Sequence, residues 1–66
     1  MNKNDIVRLE ITALTSEGNG VGRYKGMAVF VPYTAVGDVI ECRIVKLKPN
    51  YAYGKIERLL FSSKDR

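Results

Sequence analysis

The chain has 66 residues, enough for one small domain and too few for a second. With 45% hydrophobic and 27% charged residues it has the composition of a globular protein, which excludes disorder and collagen, and no apolar run approaches the roughly 20 residues that span a bilayer as a helix. Eleven Lys and Arg against seven Asp and Glu leave a net charge of +4, favouring a polyanion or an acidic surface as partner, while the lack of histidine and the single cysteine, Cys42, speak against catalysis, a metal cage or an internal disulfide.

Met1–Asn4 is polar and unpatterned, and the opening MNKNDIV has no apolar signal region, so residues 1–4 read as a mobile end and the compartment as cytoplasmic. From Asp5 to Leu14, Val7, Leu9, Ile11 and Ala13 alternate with Arg8, Glu10 and Thr12, the period-2 signature of a strand with one dry face. The glycine-rich SEGNGVG (16–22) breaks regularity, a short second strand follows over Val21–Tyr24, and Lys25–Gly26 reads as a hairpin turn. Met27–Val31 is a third strand closed by Pro32; Ala35–Asp38 forms a turn. Val39–Lys48 is a fourth strand whose parity changes midway, from Ile40, Cys42 and Ile44 to Val45 and Leu47, which requires a bulge near Ile44 and Val45. After Pro49–Asn50, Tyr51–Leu60 makes the fifth strand, with Gly54 allowing a bend or close backbone approach. Residues 62–66 (SSKDR) read as a mobile tail or linker stub. The pattern predicts an all-β fold, a small five-stranded antiparallel barrel of OB-like or SH3-like type over residues 5–61, and a monomer.

Three features are candidates for function. Gly18, Gly20 and Gly22 do not make a dinucleotide fingerprint, because strand and not helix follows them; they read as structural glycines at a barrel corner, with positive φ available. Arg23 beside them can present a guanidinium to a phosphate. In the fourth and fifth strands, Lys46 and Lys48 share one face and Tyr51, Tyr53 and Lys55 share another. A tight turn would set Lys48 opposite Tyr51 and Lys46 opposite Tyr53, with Leu47 and Ala52 toward the core. Such a face suits single-stranded nucleic acid, tyrosines stacking on bases and lysines following phosphates, although strand tyrosines with solubilising lysines give the same pattern, and pattern alone divides evenly between the two. Residues 1–22 carry two basic and three acidic groups, so the positive excess lies downstream. If that face is only solvated surface, Arg8, Lys25 and Tyr33 are the next place to look. Cys42 reads as a small core residue with a raised pKa.

The string Glu17–Leu60, with Gly18, Gly20 and Gly22 before Arg23, FVP at Phe30–Pro32, Gly37–Asp38 before an apolar strand and an aromatic closing strand from Tyr51, resembles a TRAM domain. The resemblance covers nearly the whole chain. It implies an OB-like barrel that binds RNA, rRNA or tRNA, and delivers it to a catalytic domain; the shared strand parity and the downstream positive excess, with this resemblance added, single out Arg23, Lys25, Lys46, Lys48, Tyr51, Tyr53 and Lys55 as the RNA-binding residues. Starting at Met1, the chain is similar to the N-terminal TRAM domain of S-adenosylmethionine-dependent RNA uracil-5-methyltransferases. There S-adenosylmethionine (SAM), and commonly an iron-sulfur cluster, belong to the catalytic part that follows; this chain itself would bind no cofactor. A stand-alone RNA-binding TRAM protein and a protein-docking barrel of the translation apparatus are the alternatives. An SH3-like peptide module is weaker, since the chain has no tryptophan and a positive balance.

Overall fold

A computed structural model describes residues 2–62. Every regular element in that range is a strand: β1 (Ile6–Leu14), β2 (Gly20–Tyr24), β3 (Met27–Val31), β4 (Val39–Leu47) and β5 (Tyr51–Phe61). These lie within a residue of the expected bounds. The expected tail at 62–66 falls almost wholly outside the described residues. Asn2–Asp5 forms a turn, the Asp5 N–H donating to the Asn2 carbonyl at 3.1 Å, and the Asn4 N–H ties it to the Ile44 carbonyl at 2.6 Å.

The strands close into a barrel in the order β1-β2-β3-β5-β4. Four pairings are antiparallel, but β3 and β5 run parallel, which corrects the all-antiparallel expectation. The reason is parity. Directions around a closed ring alternate only when the strand number is even, so a ring of five must contain a parallel pair.

Alternation builds the core. Val7, Leu9 and Ile11 from β1, Val29 and Val31 from β3, Ile40, Cys42 and Ile44 from β4, and Ala52 from β5 are buried and meet in one cluster. Each larger aliphatic group among them contributes roughly 1.5–3 kcal/mol by leaving water. The expected bulge lies at Val45: Ile44 pairs with Gly54 and Lys46 with Tyr53, leaving Val45 over. Leu47 does pair with Ala52, yet it is 38% exposed and not part of the core. β1 stops pairing with β4 at Arg43, so the far end of β4 is paired with β5 alone.

Only one of the three clustered glycines uses positive φ. Gly18 sits at φ 88°, whereas Gly20 and Gly22 lie within β2, where their role is space. A Cβ on Gly20 would run into the Thr34 side chain and one on Gly22 into Leu9, with the Glu10 carbonyl oxygen 2.7 Å away. The barrel end near Gly20 is closed by the loop between β3 and β4. There Thr34 donates its hydroxyl to the Val31 carbonyl at 3.0 Å, and the buried Asp38 carboxylate accepts the Ala35 N–H at 3.0 Å. Two further bonds, from the Ile11 N–H to the Asp38 carbonyl and from the Gly37 N–H to the Ile11 carbonyl, clip this loop to β1.

Candidate nucleic-acid interface

The β4–β5 hairpin forms with the tight register. Lys46 is opposite Tyr53, Leu47 opposite Ala52, and the Lys48 N–H donates to the Tyr51 carbonyl at 2.9 Å across the two residues Pro49 and Asn50. Residue period 2 then sends Tyr51, Tyr53 and Lys55 outward while Ala52 and Gly54 point in, as their burial shows.

The parallel β3–β5 pairing carries this face onto the other half of the molecule. Ala28 is opposite Tyr51 and Phe30 opposite Tyr53; across β2, Arg23 is opposite Ala28 and Val21 opposite Phe30. Two outward rows result. One runs Arg23, Ala28, Tyr51 and, across the turn, Lys48; the other runs Val21, Phe30, Tyr53, Lys46. At about 4.8 Å between strands, the second row spans about 14 Å. Arg23, which sequence separates from the hairpin by more than twenty positions, thus flanks the same surface.

At the centre of the rows three rings pack together. Phe30 lies edge-on to Tyr51 with centroids 5.9 Å apart, Tyr51 edge-on to Tyr53 at 5.5 Å, and Phe30 and Tyr53 are tilted at 5.6 Å. Such pairs hold one another in place, and Tyr53 remains 38% exposed. Phe30 is the residue that the reading of the sequence omits. MAVFV is apolar throughout and gives no sign of which face is outward; the burial of Val29 and Val31 is what puts Phe30 outside.

The remaining candidates are distributed around this platform. Lys25 is at the β2–β3 turn, where Lys25 and Gly26 both have positive φ as a type I′ hairpin requires, with its ammonium 5.6 Å from the centre of the Tyr24 ring. Because β3 and β5 are parallel, this turn and the Pro49–Asn50 turn lie at the same barrel end. Lys55 is one outward step beyond Tyr53, opposite Arg43. The Arg43 guanidinium is held by Glu57 through two bonds of 3.0 and 3.2 Å, which hold the Glu57 carboxyl below its usual range and raise the arginine further. The pair marks a charge-balanced margin to the basic surface. The fallback set does not converge: Arg8 is opposite Glu41 on β1–β4, Lys25 is at one end of the barrel, and Tyr33 is in the loop at the other. Cys42 is buried against Gly54, and burial pushes its thiol up to about 11. Among the described residues no group of three His, Cys, Asp or Glu could hold a metal.

The sequence and fold have known counterparts. An uncharacterised RNA methyltransferase of Lactobacillus johnsonii is 44% identical over all 66 residues, and another of Synechocystis is 44% identical over 64 residues. The chain spans only 15% and 14% of their respective lengths. The solution structure of a conserved protein of Methanococcus maripaludis superimposes with a TM-score of 0.80 at 24% identity, covering 86% of this chain and 81% of that one, so the same fold exists as a small protein by itself. The family model for the TRAM domain matches residues 2–56, and with a barrel and relatives of this kind the chain belongs to the TRAM domain family.

Proposed function

We propose that this chain is the RNA-binding module of an RNA methyltransferase, holding a single-stranded stretch of rRNA or tRNA for a catalytic domain in the same polypeptide. The observation that carries the reading is the ring cluster of Phe30, Tyr51 and Tyr53 set between Arg23 on one side and Lys46 and Lys48 on the other. Rings stack on any base, while cations at the rim follow the backbone. A protein-docking barrel has no need of that arrangement. Relatives named RNA methyltransferases support the larger context, in which a uracil-5-methyltransferase of the cytoplasm is the finer reading. The chain's own residues do not fit an iron-sulfur cluster, since the single cysteine is buried in the core. S-adenosylmethionine and any cluster therefore belong, in this reading, to the catalytic portion. The small Methanococcus maripaludis protein of the same fold favours a second reading, a stand-alone RNA binder. Both readings use the same face.

The test is a titration of the 66-residue chain with fluorescein-labelled single-stranded RNA at several salt concentrations. Neutralising three to five phosphates with Arg23, Lys25, Lys46, Lys48 and Lys55 gives a slope of log K against log salt of about −2 to −3.5, at about −0.7 per contact. A flat response, or no binding at low salt, rejects the proposal.

A further inference from the structure

β5 has partners on both edges only along its first residues. Its pairing with β3 ends at Tyr53, opposite Phe30, whereas its pairing with β4 continues to Phe61, opposite Val39. From Gly54 to Phe61 one edge of the strand carries no strand partner among the described residues. An open edge is a template for another strand, and proteins guard such edges with charge. Lys55, Glu57 and Arg58 provide that guard along the middle. The guard stops at Leu59. Leu59, Leu60 and Phe61 are consecutive, apolar and 39, 40 and 61% exposed. Leu59 is opposite the buried Ile40 and Phe61 opposite the partly exposed Val39, so both faces of the ribbon end in apolar groups. Val36, 44% exposed, stands in the turn that leads into Val39. Val36, Leu59, Leu60 and Phe61 do not belong to the core cluster, and a run of three exposed apolar residues beside an open edge is a surface built for a partner.

The partner is identified by the length of the relatives. The chain matches relatives over 97–100% of its length but spans only 14–15% of theirs, leaving about 85% of such a protein to be accommodated. We infer that the Leu59–Phe61 end of β5, with its open edge, docks the catalytic portion of the full-length protein, one strand of which adds to β5. The inference rests on the reading above that a catalytic portion follows this domain. Strand addition supplies backbone hydrogen bonds, and the apolar groups on both faces are covered by the incoming surface. β5 then carries Tyr51 and Tyr53 at one end and the docked domain at the other, so a single strand fixes the RNA face relative to the site of chemistry.

Hydrogen–deuterium exchange tests this on two proteins: the 66-residue chain, whose fold stands alone in the archaeal protein, and the Lactobacillus johnsonii protein with its matched residues replaced by this chain. Amides of residues 55–62 are expected to exchange at least tenfold more slowly in the chimera. The double variant Leu60→Thr, Phe61→Thr keeps strand propensity; it is expected to abolish that protection while leaving the isolated chain's RNA affinity within twofold. Equal exchange in both proteins overturns the inference. So does protection in the isolated chain that grows with concentration alongside a sedimenting dimer, which assigns the edge to a second copy. If the chimera does not fold, exchange of the isolated chain with and without the remainder of the Lactobacillus johnsonii protein gives the same comparison, with the same result overturning the inference. The RNA titration is separate: protection without RNA binding removes the RNA reading and keeps the docking surface, and RNA binding without protection does the reverse.

Discussion

A methyl group added at Gly54 should be costly for a reason that one other substitution removes. The Cβ of Gly54→Ala would overlap the Cys42 sulfur, 3.1 Å from the Arg43 carbonyl oxygen and 3.5 Å from a Val29 methyl. Cys42 and Val29 are fully buried, so neither can swing away. Overpacking of this kind costs about 1–3 kcal/mol, which for a domain of this size lowers the Tm by about 4–24 °C at 4–8 °C per kcal/mol. Cys42→Ala alone leaves a small void and costs about 1–2 kcal/mol. In the double variant the alanine methyl at 54 enters the space the sulfur leaves, and the clash and the void cancel in large part. The expected coupling energy is at least about 1 kcal/mol, above the few tenths by which independent sites depart from additivity. Urea unfolding of the four proteins of the cycle, followed by circular dichroism, measures it. Gly18→Ala is the control: nothing lies within 4 Å of its Cβ, its cost comes from φ 88°, and Cys42→Ala should not rescue it. Additive effects at 54 and 42, or an unchanged Tm in Gly54→Ala, would refute the packing argument.

On the face proposed to bind RNA, Phe30→Ala and Tyr53→Ala should each remove about 1–3 kcal/mol of binding in fluorescence titrations while the Tm stays high enough for the protein to remain folded; unchanged affinity in both would reduce the ring cluster to a surface decoration. Lys48→Ala should weaken binding to all RNA sequences alike and lower the magnitude of the salt slope by about 0.7; a sequence-dependent loss would point to base contact instead. Gly22→Val should lower stability and RNA affinity together, because its Cβ meets Leu9 and the fixed Glu10 carbonyl; loss of affinity at an unchanged melting temperature would mean that β2 touches the RNA at that position. Cys42 sets an alkaline limit. Its folded thiol titrates at about 11 against an ordinary 9.0, so its contribution is complete below pH 9.0 and is lost as pH rises toward about 11. Over that interval stability should fall less steeply in Cys42→Ala than in the parent, and equal slopes in pH-dependent urea unfolding would contradict the burial of the thiol.

Much of this molecule is written in local pattern. Period-2 alternation places β1 and the first part of β4, an apolar run ended by Pro32 places β3, and the change of parity after Ile44 marks the bulge at Val45 before any partner strand is known, because side-chain direction along a strand is a property of that strand alone. The Lys46–Tyr53 register follows from a turn of two residues, again a local matter. What pattern could not provide is which edges meet. The burial of Val29 and Val31 sends Phe30 outward, and only the parallel pairing of β3 with β5 sets it against Tyr53 and brings Arg23 onto the same surface. The same holds for Gly20 and Gly22: the sequence determines that they lack side chains, and the closed barrel determines that Thr34 and Leu9 need that space. It holds also for Leu47, whose apolar side chain reads as core but is left exposed, and for Leu59–Phe61, which are exposed where the pairing of β5 with β3 has already stopped. Burial depends on what lies across the barrel, and that is decided by closure of the ring, a contact between residues far apart in the chain.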